Sequence, residues 1–313
     1  MKYSFFLVIF IVISCATEVE KETKTNAVKQ IEVNVLDTII PEKLNTKLLE
    51  DYLSFLNKID LKKMGSNLAA MEEFKRITVS ETLETCDSAY LHYRKFYLNF
   101  QAEIGNKFQE DTSNYCVLVY GTVDEVDAKY LKKLKAERVK LRKYGIDFAC
   151  TEGSPYITFY SPFVKTNFLP SLSLPLQKYL NQELMENEAY LYDDAGIVIQ
   201  LKEVVDRIVW HEDFEKANPT FQLTYLSINA KMWHQTALFN GADNTPVYYT
   251  NEDVVEVNAD FVNAMQYCLK KYPTSQLAKS VTPFLKALKA SNLIKIEALR
   301  KKFIKEKICI NYE

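Results

Sequence analysis

Histidine, glycine and proline are scarce in this chain: its 313 residues include three, seven and nine of them respectively. With so few glycines and prolines there is little material for long loops, which favours helices. The three histidines, His92, His211 and His234, form no His-Glu-x-x-His spacing, so zinc-peptidase chemistry has no support. Neither sign of charge dominates: 39 basic residues stand against 41 acidic ones. No global basic field exists to recruit nucleic acid. Six cysteines, widely spaced, match neither a small disulfide scaffold nor a zinc ribbon. Against these shortages, a hydrophobic content of 48% and twenty tyrosines supply ample material for a globular core.

One long apolar run stands out, Phe5 to Ile13, preceded by Lys2 and followed by Ser14 and Cys15. A spanning helix needs about 20 apolar residues, so this run is too short to cross a bilayer stably. A basic residue, a short apolar stretch and a small residue at the cut site make a secretory signal. Val12-Ile13-Ser14-Cys15 resembles a bacterial lipobox, which implies a signal over 1–14 and lipid attachment at Cys15. Residues 15–41 are rich in Glu, Lys, Thr and Asn and read as a flexible tether. About 20 such residues span roughly 25 Å, enough to hold a domain clear of a lipid surface. Ala16 in place of an aspartate after the cysteine favours the outer membrane.

Setting Cys15 aside leaves an odd number of cysteines, so at least one thiol is unpaired. Cys116 and Cys150 sit in apolar surroundings and read as buried free thiols that behave as small hydrophobes. A bridge between Cys86 and Cys150 is the alternative in an oxidising envelope.

The predicted fold is mainly α, with helical hairpins that are solenoid-like in the C-terminal third and one small β-hairpin near 146–160. In the N-terminal helical region, 42–145, apolar residues recur at spacings of three and four from Glu42 to Leu56 and from Ser66 to Arg76. A wide aromatic stripe runs through Tyr90, Tyr93, Phe96, Tyr97 and Phe100 and reads as core. A fourth helix begins near Val123 and stops at Gly145. Segments 146–195 form a connector. It opens with the one convincing strand signal, Ile146–Cys150 and Tyr156–Tyr160 around a five-residue loop. The C-terminal region, 196–313, carries helical patterns over 198–217, 220–239, 260–271 and 274–290. They meet at the matching junctions Pro219-Thr-Phe-Gln-Leu223 and Pro273-Thr-Ser-Gln-Leu277. Proline and threonine there suit the first turn and cap of a new helix, giving two helical hairpins at a period of 54 residues.

Ile208-Val-Trp-His-Glu-Asp-Phe214, the proline-linked hairpins, Asn240-Gly-Ala-Asp-Asn-Thr-Pro246 and Glu152-Gly-Ser-Pro-Tyr156 resemble a group of uncharacterised bacterial envelope lipoproteins. The hairpins also resemble tetratricopeptide-like helices, although that repeat has a period of about 34 residues. The resemblance implies an envelope location and supplies no activity.

Candidate sites follow from residue chemistry. His211 and Glu215 share a helix face, and His234 sits on the partner helix. A hairpin turning near 218 places His234 opposite residue 203, about 10 Å along the axis from His211, which argues against a shared metal. No metal and no cofactor is therefore expected. Glu152 in the hairpin loop, with Asp193 or Asp194, could serve glycan hydrolysis if the carboxyls stood roughly 5 to 9 Å apart. Glu152, Tyr156, Asp243 and Asn244 are the candidate binding residues, the last two in a loop whose glycine and asparagine favour turns. The basic helix from Lys129 to Lys143 reads as a solvated face over a packed stripe, with anionic lipid as its alternative partner. The function expected is a lipid-anchored, non-enzymatic envelope module that binds a protein or glycan. The alternative is an envelope glycan hydrolase using Glu152.

Overall fold

The computed structural model describes residues 47–110, 115–120, 127–151, 154–251 and 254–311. The signal, Cys15, the tether and Glu152 lie outside the described residues. The fold is mainly α, with small antiparallel strand pairs. It divides into two compact units, one through Asn181 and one from Gln182, with the β-hairpin in the first.

The first unit contains α1 (Lys47–Lys58), α2 (Gly65–Thr78), α3 (Leu83–Glu110), α4 (Val117–Tyr120), α5 (Ala128–Lys143), β1 (Ile146–Thr151), β2 (Ser154–Phe159) and α6 (Ser161–Asn167). Helix α7 (Leu174–Glu188) starts here and runs on into the second unit. The aromatic stripe of α3 is the centre of the core: Tyr90, Tyr93, Tyr97, Phe100 and Ile104 are all buried. Burying a tyrosine requires a partner for its hydroxyl. Tyr93 donates to Asn67 Oδ1 at 2.9 Å and Tyr97 to the Gly145 carbonyl at 3.2 Å, while the Tyr97 ring stacks on Phe159 at 3.8 Å. The same stripe that fills the core therefore also positions the hairpin.

A lone two-stranded hairpin is unstable unless something packs on it; here α3 supports it through Tyr97 and Phe159. Its register pairs Thr151 with Ser154, so two residues connect the strands instead of the five expected. Cys116 and Cys150 form a disulfide, whereas Cys86, Cys268 and Cys309 are buried thiols. The expectation of free thiols at Cys116 and Cys150, and the alternative bridge from Cys86, are both corrected. Apolar neighbours show that a cysteine is buried but not which other cysteine the fold brings to it.

The second unit contains β3 (Tyr192–Asp193), β4 (Gly196–Ile197), α8 (Leu201–Ala217), α9 (Thr224–Asn240), β5 (Gly241–Ala242), β6 (Thr245–Pro246), β7 (Tyr248–Asn251), β8 (Val254–Val257), α10 (Ala259–Lys271), α11 (Gln276–Lys289) and α12 (Leu293–Lys305). The pairs β3–β4, β5–β6 and β7–β8 add three hairpins to the one expected. Two of them have two-residue strands, too short to produce an alternating pattern. Helices α8, α10 and α11 pack with α12 around Phe239, Phe261, Phe284 and Phe303.

Proline and threonine do not start the second helix of either hairpin. The links are 218–223 and 272–275, so the first is two residues longer. Ser275 caps α11 by accepting the N–H of Ala278 at 3.0 Å. The matching position in the first hairpin is Phe221, which has no oxygen to offer, and α9 begins later without a side-chain cap.

Candidate functional site

That longer link determines where the histidines meet. With α8 ending at Ala217 and α9 starting at Thr224, the hairpin turns near 220 to 221. His234 then lies opposite about residue 207, a single helical turn from His211, or about 6 Å along the axis. The two rings sit 6.0 Å apart, centre to centre. The expected separation of these histidines is overturned, because the hairpin turns two to three residues beyond 218.

The third member is Glu186, near the end of α7. One ligand atom from each of Glu186, His211 and His234 lies within 4.8 Å of the others. His211 Nε2 stands 3.2 Å from Glu186 Oε1, and His234 Nε2 stands 3.9 Å from Oε2. The histidines are buried, and the Glu186 side chain is 11% exposed. Glu215, the acid that shares a face with His211, is one step removed: it accepts from Ser227 Oγ at 3.2 Å and pairs with Lys231.

Hydrogen bonds hold each ring in place. His234 Nδ1 is 2.6 Å from the Ala230 carbonyl, which can only accept, so Nδ1 carries a hydrogen. His211 Nδ1 lies 2.9 Å from Ser227 Oγ, which donates to Glu215, and His211 Nε2 lies 3.2 Å from Glu186 Oε1, a carboxylate oxygen that can only accept. Both rings therefore turn Nε2 toward the carboxylate. Gln182 Nε2 donates to Glu186 Oε1 at 2.6 Å and orients that group.

Electrostatics makes two opposed demands. Burial pushes the Glu186 carboxyl up, and positive charge on His234 and His211, with the hydrogen bonds from His211 and Gln182, outweighs it and pulls the group down to about 2. Burial pushes the His234 imidazolium down to about 4, against the opposing pull of the Glu186 carboxylate.

The residues singled out from sequence are placed differently. Tyr156 is half-buried on β2, opposite Ala149. Asp243 and Asn244 occupy the exposed β5–β6 turn. The Asn244 backbone N–H donates to the Ala195 carbonyl at 2.9 Å, and its side chain donates to the Asp194 carbonyl. Asn244 therefore locks two turns together. Asp193 and Asp194 belong to the β3–β4 hairpin, where Asp194 and Ala195 both take positive φ. Their expected partner Glu152 lies outside the described residues. On α5, Arg138 and Arg142 close on Asp147 at 2.5 and 2.8 Å, while most of the lysines are exposed.

Glu186 is the site residue that sequence reasoning missed. Within Asn181-Gln-Glu-Leu-Met-Glu-Asn-Glu188 it differs from Glu183 and Glu188 in no local respect. The one available signal is Gln182 four residues before it, which places two polar groups on one helix face.

No family model, curated protein or solved structure matches this chain.

Proposed function

We propose that this protein is a lipid-anchored, non-enzymatic module of the bacterial cell envelope, favouring the outer membrane, that presents its helical surface to a protein or glycan partner. The observation that carries this reading is the N-terminal pattern: Lys2, the apolar run Phe5 to Ile13, and Ser14-Cys15. The disulfide between Cys116 and Cys150 supports it independently, because such bonds persist in oxidising compartments, the bacterial periplasm among them. No helix among the described residues is long and apolar enough to cross a membrane, so a lipid on Cys15 would be the means of attachment. The two helical hairpins, α8 with α9 and α10 with α11, support a tetratricopeptide-like reading, a unit that commonly buries one face and offers the other. In the first unit a surface depression of about 350 Å3, lined by Leu53, Leu56, Leu91, Phe96, His92 and Lys95, offers mixed apolar and polar chemistry to a partner.

Mass spectrometry of the purified envelope protein should find Cys15 as its first residue, carrying a diacylglyceryl group. Cys15→Ala should move the protein from the membrane to the soluble fraction with its far-UV circular dichroism unchanged. An unprocessed N-terminus, or membrane association that survives the substitution, refutes the anchor. Crosslinking in intact cells should then give one stoichiometric adduct; recovery of the protein alone refutes the partner.

A further inference from the structure

We propose that Glu186, His211 and His234 bind one divalent cation of the zinc class, coordinated by two imidazole Nε2 atoms and a carboxylate oxygen. The proposal is independent of the anchor and of the partner surface.

Four observations converge on it. The donor set of imidazole and carboxylate is the one that zinc prefers when thiolates are absent. The spacing is close to what is needed: neighbouring ligands of a tetrahedral zinc, each about 2.1 Å from the metal, stand about 3.4 Å apart, and here one ligand atom from each residue lies within 4.8 Å of the others, with His211 Nε2 3.2 Å from Glu186 Oε1 and His234 Nε2 3.9 Å from Oε2. The Nε2 atoms converge on the carboxylate, because each Nδ1 is engaged by a group outside the cluster, Ser227 for His211 and the Ala230 carbonyl for His234. Finally, every ligand has its own orienting partner: Ser227 backed by Glu215 for His211, the Ala230 carbonyl for His234, and Gln182 for Glu186. Such outer partners are the usual companions of metal-binding histidines and carboxylates.

The three ligands come from three successive helices, α7, α8 and α9. A bound cation ties the end of α7 to the first hairpin and neutralises a carboxylate buried beside two imidazoles. The protein supplies three ligands, and the fourth position of a tetrahedral ion falls to water.

The test uses the full chain, stripped with a chelator and titrated with Co2+, whose visible absorption reports its coordination. One equivalent should bind, giving the intense bands of a four- or five-coordinate ion without a thiolate charge-transfer band. Zn2+ should displace it and raise the melting temperature. His234→Gln and Glu186→Gln should each weaken binding by about 100-fold or more, and Glu215→Gln, one shell out, by about 10-fold. Circular dichroism identifies any variant that fails to fold, and the unsubstituted protein decides the matter in that case. A folded, unsubstituted chain that takes up no Co2+ overturns the proposal. So does a thiolate band, or affinity unchanged in folded His234→Gln.

Discussion

Glu212 Oε2 accepts the backbone N–H of Gln276 at 2.9 Å. One helical hairpin thereby caps a helix of the next, since Glu212 sits on α8 and Gln276 opens α11. The first N–H groups of a helix have no partner inside it, and here an acid from the neighbouring hairpin supplies one. Two further ties run from α8 to α10 and the residue that ends it: Asp206 accepts from Tyr267 at 2.9 Å and from Tyr272 at 2.7 Å.

Glu212 separates the value of an acceptor from the value of a charge. Burial raises its carboxyl pKa despite the backbone N–H groups of Gln276 and Leu277 that favour the ion. Glu212→Gln keeps an acceptor oxygen and removes the buried charge, so its stability should remain within about 0.5 kcal/mol. Glu212→Ala leaves the helix end unpartnered and should cost about 1–2 kcal/mol. Urea denaturation of the two variants measures the difference; equal losses would show that the cap contributes nothing.

Asp147 should govern part of the acid response of the first unit. Burial raises its pKa, and the bonds from Arg138, Arg142 and the Phe148 N–H outweigh this, leaving the group below its ordinary 3.8. A depressed carboxyl gives stability that is fully present above the unfolded value and lost as pH falls through the folded one. Stability should therefore decline below about pH 4, and Asp147→Asn should flatten that decline. At neutral pH the same substitution should cost about 2 kcal/mol, between the ranges for exposed and buried pairs, because it leaves two guanidinium groups without their counter-charge. Denaturant curves from pH 7 to pH 3 provide the check.

The disulfide closes a sequence separation of 34 residues. By chain entropy a loop of this size stabilises the fold by about 4 kcal/mol, with measured losses of about 2–5 kcal/mol. The pair Cys116→Ser with Cys150→Ser should lose stability in that range. Cys86, Cys268 and Cys309 should stay unmodified by a thiol reagent in the native protein, since burial raises all three thiols, Cys268 to about 11 and Cys309 to about 12. Peptide mapping after alkylation, native against unfolded, counts the reactive sites.

Gly145 follows the end of α5 with φ +75°, and a Cβ there would meet the Phe163 ring and Asn67 Nδ2 at 2.7 to 2.8 Å. Its carbonyl accepts from Tyr97 and from the Tyr160 N–H. Left-handed backbone costs a residue with a side chain about 1–2 kcal/mol, and the clash adds to it. Gly145→Ala should destabilise by about 2–3 kcal/mol, read from thermal or urea unfolding. A loss below about 0.5 kcal/mol would mean that the ring and the helix end can shift at no cost.

Helices were legible in the sequence wherever one face repeats apolar residues: the aromatic stripe of α3 and the matched hairpins are written in spacings of three and four. Gly145 as a stop was equally local. The short strand pairs were not legible, because two residues cannot show a period. Partnerships were not legible either. Cys150 looks buried from its neighbours, yet its bond to Cys116 depends on how α4 and β1 approach each other.

The same limit applies to the candidate centre. By itself the sequence determines that His211 and His234 lie on adjacent antiparallel helices, since that follows from two apolar patterns and a proline between them. Only the tertiary structure decides that they meet. A two-residue difference in link length, arising where Phe221 stands in place of a capping serine, shifts the register by about 3 Å along the axis and brings the rings within reach of one carboxylate. Glu186 reaches them from a third helix. Periodicity is a property of neighbours along the chain, whereas coordination is a property of distances between helices, and those distances depend on links and packing.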